Sequence, residues 1–149
     1  MARRNFLAQL AGIPLLALGA KAAQEPSKKA LKILMRSSWG TDDATRASFV
    51  FAHSLALADA GHDVQIFLTG DATYLMRKAT TDAIIPIGWP PLSEMRDKII
   101  AKKIPVFSCG ACSRARGITE ADLASWQAKY GNPTIFVSLV EWADRIMSE

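Results

Sequence analysis

Short apolar runs alternate along this chain with longer stretches in which apolar residues recur at helical spacing. Leu31-Lys32-Ile33-Leu34-Met35 reads as a strand that ends at the turn-like Ser37-Ser38-Trp39-Gly40. A helix is expected over residues 42–60, with Thr41 as its cap and Asp42 and Asp43 in its first turn. Carboxylates there suit the positive end of the helix dipole. Gly61 should stop that helix, since glycine readily takes positive φ. Phe49, Val50, Phe51, Ala52, Leu55, Ala56 and Leu57 cover most of its circumference, so burial on more than one side is expected.

The same reading gives a second strand over 64–68 and a short helix over 72–79. Residues 84–91 hold three prolines and read as a loop. A helix over 92–102 leads to a strand over 104–107, and both cysteines fall on the turn directly after it. Thr119-Glu120-Ala121-Asp122 has the form of a capping-box start, for a helix to about residue 129. Gly131-Asn132-Pro133 reads as a break, followed by a last strand over 134–137 and a last helix over 139–147. Strands that are short apolar runs, alternating with helices, imply an α/β fold with a mostly parallel sheet covered on both faces. Reactive groups in such sheets gather at the carboxyl ends of the strands. The segments 37–43 and 108–117 lie there.

The N-terminus changes how the charge is read. Its Arg pair, the apolar run over 6–20 and Ala20-Lys21-Ala22 have the order of an export leader with a cleavage site. Arg3-Arg4-Asn5-Phe6-Leu7 resembles the core of twin-arginine (Tat) signals. The expected organisation is a leader over 1–22, a linker over 23–30 and a single domain over 31–149, with a periplasmic destination. The protein would stay tethered to the membrane only if the leader remains uncleaved. The formal charge of the whole chain is +4; without Arg3, Arg4 and Lys21 it becomes +1, with 15 basic residues against 14 acidic. No basic stripe interleaved with aromatics remains, so a nucleic-acid partner is not expected. No second apolar run is long enough to span a bilayer, so no stable insertion is expected after cleavage.

Candidate chemistry centres on Cys109 and Cys112, the only cysteines, spaced C-x-x-C in Pro105-Val106-Phe107-Ser108-Cys109-Gly110-Ala111-Cys112-Ser113-Arg114-Ala115-Arg116-Gly117-Ile118. That spacing suits a redox disulfide, half of a zinc site, or one working thiol with a neighbour. Zinc would need four ligands, and only His53 and His62 are available beside the cysteines. His53 reads as a packed helix residue and His62 as a junction residue. No metal and no cofactor are expected: the chain has no P-loop and no G-x-G-x-x-G. Arg114 and Arg116 would lower the thiol pKa and suit anionic sulfur species, or would pair with Glu120 and Asp122. Ser38 falls where the mouth of the same site would be.

The segment from Val106 to Ile118, the Ala60-Gly61-His62-Asp63-Val64 junction and the opening strand and turn together resemble the DsrE/DsrF-like family of small sulfur-relay proteins, TusD- and YchN-like. The likeness runs from Leu31 to the C-terminus. It implies a three-layer α/β/α sandwich with about five strands, a trimer or hexamer, and a sulfur carrier or sulfurtransferase holding sulfane sulfur as a persulfide on Cys109. Cys112 would be an auxiliary or resolving thiol, with Arg114, Arg116 and Ser38 facing substrate. Partners would be sulfur donor and acceptor proteins or small sulfur species. Two other readings stay open: a thiol–disulfide protein cycling Cys109 and Cys112, and a non-catalytic oligomeric binding module of the same fold.

Overall fold

The structure, a computed structural model, describes residues 29–149. The expected leader over 1–22 and most of the linker lie outside the described residues. The strands are β1 Lys32–Ser37, β2 Asp63–Leu68, β3 Val106–Cys109, β4 Lys129–Gly131 and β5 Arg145–Ser148. They form one sheet in the order β4-β3-β2-β1-β5, and every pairing is parallel. The helices are α1 Ala44–Asp59, α2 Lys78–Ala83, α3 Leu92–Ala101, α4 Gly110–Ala115, α5 Glu120–Ala124 and α6 Pro133–Trp142, with a 3-10 segment at Gly70–Met76.

Side-chain alternation along the strands divides the sheet into two unequal faces. Ile33 and Met35 of β1, Val64, Ile66 and Leu68 of β2, and Val106 of β3 join the larger core. That core is completed by Val50, Phe51 and Leu55 of α1, Met95 and Ile99 of α3, and Trp126. Trp126 is satisfied as well as buried: its Nε1–H donates to the Leu75 carbonyl at 3.0 Å and the Thr81 hydroxyl at 3.1 Å. The intervening residues face α6, where Leu34, Phe67 and Leu139 are buried and Phe107, Cys109, Ile135 and Phe136 are half-covered. The α/β/α expectation therefore holds, with a thick helical layer on one side and α6 on the other.

Much of the expected element order is found, with boundary changes that have local causes. Asp43, not Thr41, caps α1: its carboxylate accepts from the Thr45 and Arg46 N–H groups at 3.0 and 2.9 Å. Thr41 and Asp42 instead form the turn that precedes it. Gly61 ends α1 at φ +86°, as expected. In place of a helix over 72–79, the 3-10 segment stops at Arg77, whose extended backbone separates it from α2. The strand expected over 104–107 lies two residues later, which places Cys109 at its end. The Thr119–Asp122 capping box is present, but α5 stops at Ala124 and residues 129–131 form β4.

The C-terminal expectation is overturned. Residues 134–137 are helix and residues 145–148 are strand. Asn132-Pro133 is a helix start: the Asn132 side chain accepts from the Ile135 N–H at 2.8 Å, and Pro133 occupies the first turn, where its missing N–H costs nothing. Ile135, Phe136 and Leu139 then turn one stripe of α6 onto the sheet. β5 is exposed at all four residues, so it carries no burial pattern that a sequence would reveal.

Candidate functional site

Cys109 is the last residue of β3 and the cap residue of α4. Three local features bend the chain there. Gly110 lies against β4, where an added Cβ would stand 3.1 Å from the Gly131 carbonyl oxygen. The buried hydroxyls of Ser108 and Ser113 share a hydrogen bond of 2.8 Å, which pins α4 back onto β3. Arg116 then clasps the other side: its Nε–H and an NH2 hydrogen donate to Asp71 Oδ1 at 2.9 and 2.7 Å. A third guanidinium hydrogen donates to the Cys112 carbonyl at 3.2 Å.

Cys109 points to the α6 face and lines a cavity of about 490 Å3. The register of the sheet sets its neighbours. Arg36 pairs with Phe67 across β1 and β2, Phe67 with Phe107 across β2 and β3, and Cys109 with Gly131 across β3 and β4. Arg36, Phe67 and Cys109 thus stand on one face, roofed by Phe136 and Pro133 of α6, with Thr69, Tyr130, Asn132 and Arg114 around the rim. An added Cβ at Gly131 would lie 2.5 Å from the Phe67 ring, so the ring occupies the space that only glycine leaves.

Both cysteines are free thiols and both are half-buried. Burial pushes the Cys109 pKa up, but the net direction is down. The N–H and thiol of Cys112, the N–H of Ala111 and the charge of Arg114 together outweigh the loss of hydration. A lowered pKa raises the share of the thiol present as the nucleophilic thiolate at a given pH. Cys112 is the third residue of α4, so cap and third position face each other as Thr119 and Asp122 do on α5.

The other expected site residues divide. Arg114 lines the Cys109 cavity. Arg116 is turned away to Asp71 and lies 5.7 Å over the Tyr74 ring, and Asp71 holds its pKa above the ordinary value. Its partner is thus neither Glu120 nor Asp122. Ser38 lies in a neighbouring groove of about 100 Å3, which shares Arg36 and Thr69 with the cavity. Arg36 was not anticipated. Its guanidinium sits 5.1 Å over the Phe136 ring, and its Nε is buried without a hydrogen-bond partner among the described residues. The sequence cue to it is an Arg directly after the apolar run Ile33-Leu34-Met35.

His53 stacks on Phe49, with ring centroids 5.4 Å apart, and bonds to Glu149; His62 Nδ1 accepts from the Leu31 N–H at 3.2 Å. Among the described residues no three His, Cys, Asp or Glu side chains gather to hold a metal ion. Also among them, no helix is long and apolar enough to cross a membrane.

Comparison with known proteins agrees with this architecture. The ychN protein from E. coli superimposes with a TM-score of 0.63 at 17% identity, covering 81% of this chain and 100% of that one. BT1422 from Bacteroides thetaiotaomicron, a conserved protein of unknown function, gives 0.58 at 13% identity, covering 79% and 94%. These two show the fold. The uncharacterized protein MK0008 from Methanopyrus kandleri is 32% identical over 77 residues, which is 52% of this chain and 60% of that protein's length. The model of the DsrE/DsrF-like family matches residues 29–148, nearly all of the described chain. The protein belongs to the DsrE/DsrF-like family.

Proposed function

We propose that this protein is a sulfur carrier that holds sulfane sulfur as a persulfide on Cys109. The observation that carries the reading is a half-buried cysteine at the carboxyl end of β3 with a lowered pKa, opening onto a cavity rimmed by Arg114. In the loading step the Cys109 thiolate attacks the terminal sulfur of a donor R–S–SH. The Cys109 Sγ–S bond forms, the donor's own S–S bond breaks, and R–S⁻ leaves while the transferred sulfur keeps its proton. Passing the sulfur to an acceptor thiolate is the same exchange with the roles reversed. Neither step needs an outside oxidant or reductant.

A second reading, thiol–disulfide cycling, is favoured by one observation: Cys109 and Cys112 occupy the cap and third positions of α4. The leader-like sequence at Arg3-Arg4 supports a reading in which the chemistry takes place after export. Exposed Val137, Val140, Ile146 and Met147 on α6 and β5 support a homo-oligomer.

Intact-mass measurement separates the readings, using the protein, Cys109→Ser and Cys112→Ser exposed to a sulfane-sulfur donor. Gain of one sulfur that requires Cys109 and survives loss of Cys112 is the expected result. Reversible loss of two hydrogens needing both thiols, without sulfur gain, would instead establish the redox cycle. A protein that does neither is a binding module of this fold.

A further inference from the structure

The cavity beside Cys109 is far larger than the cargo. Loading adds one sulfur atom to the thiol, whereas about 490 Å3 lies open beside it, within the range of small-molecule sites. Its walls are of two kinds. Phe67, Phe136, Pro133 and Ala111 supply apolar surface, and Arg36 and Arg114 supply two guanidinium groups. No carboxylate is among the lining residues. Neither arginine belongs to an ion pair among the described residues.

Arg36 is the more telling of the two. A buried guanidinium N–H without an acceptor is costly, and a bound acceptor would remove that cost. The group is also set in place, by a central strand beneath and the Phe136 ring beside it. A planar guanidinium fork matches a carboxylate better than it matches a lone sulfur atom. A bare inorganic sulfur anion would meet the charge and leave the aromatic walls unused.

We propose that the cavity binds the sulfur donor itself, a low-molecular-weight organic persulfide whose body carries carboxylate groups. A carboxylate lies on Arg36, the carbon body lies against Phe67 and Phe136, and the terminal sulfur faces Cys109. This rests on the persulfide-carrier reading for its chemistry, while the binding of the organic anion stands on the cavity alone. Transfer is the balanced exchange given above: the carboxylated thiolate leaves, and Cys109 keeps the sulfane sulfur.

The test compares glutathione persulfide with hydroxyethyl persulfide, which has the same reactive group and no carboxylate. Loading of Cys109 is followed by intact mass against donor concentration, in the protein and in Arg36→Met and Arg36→Lys. The expected result is preference for glutathione persulfide, with Arg36→Met reducing that preference about tenfold or more and Arg36→Lys reducing it less. Equal use of both donors, or a preference that Arg36→Met leaves intact, overturns the assignment. Arg36→Lys carries the comparison if Arg36→Met does not fold.

Calorimetry with S-methylglutathione on Cys109→Ser separates the two readings. Binding that Arg36→Met weakens, with no sulfur loading by the intact protein, keeps the cavity assignment and overturns the carrier. Loading without such binding does the reverse.

Discussion

Gly131→Ala tests how the sheet shapes the site. An alanine Cβ would stand 2.5 Å from Phe67 Cε2 and 3.0 Å from Cζ. Ordinary carbon contacts are about 3.5 Å or longer, so the ring must retreat by roughly 1 Å. It has little freedom to do so. Phe67 is 4% exposed, its backbone is paired to Arg36 and Phe107, and its ring lies 5.2 Å from that of Phe136. Overpacking of this kind costs about 1–3 kcal/mol, or a melting temperature lower by roughly 4–12 °C in a domain of this size. Thermal and urea unfolding would be compared for Gly131→Ala, Phe67→Leu and the double variant. Because leucine removes the atoms that clash, the double variant should be more stable than the sum of the singles allows, by about 1 kcal/mol or more. Additive effects, or a Gly131→Ala melt within about 1 °C of the parent, would refute the steric argument.

Two further outcomes follow from the turn after β3. Iodoacetamide rates against pH should place the Cys109 midpoint below that of the same thiol in the urea-unfolded protein, and Cys112→Ala should raise it by removing the thiol that donates to Cys109. A folded pKa below the unfolded one means that the ionised thiol adds stability above the unfolded pKa, and that this contribution is lost as pH falls through the folded value. A folded midpoint at or above the unfolded one would reject the electrostatic account. Ser113→Ala leaves the Ser108 hydroxyl buried without its partner and should cost about 1–3 kcal/mol in urea unfolding. Adding Ser108→Ala should recover part of that cost, and a strictly additive pair would count against the pinning bond.

The parts of this molecule visible in its sequence are those whose signals are local. β1, α1 and β2 are announced by apolar runs and by Gly61, because each is decided within a few residues. The cysteine turn was legible for the same reason. Asn132-Pro133 was not, since the same two residues break a chain or begin a helix, and only the packing of Ile135, Phe136 and Leu139 on the sheet decides which. β5 has no buried face and is fixed by backbone pairing to β1. Arg36 escaped because its place beside Cys109 depends on strand order, β1 next to β2 next to β3. Arg116 pairs with Asp71, 45 residues away, a partner that no local pattern in the sequence announces.

The unequal faces of the sheet divide labour between persistence and change. Trp126, Phe51 and the aliphatic residues around them hold the domain together from one side. The other side buries few residues fully and keeps an open hollow beside its thiol. Substitutions at exposed positions around that hollow, such as Ala111 and Arg114, alter what it accepts without entering the packing that keeps the chain folded. A scaffold built this way can exchange one bound molecule for another and still fold.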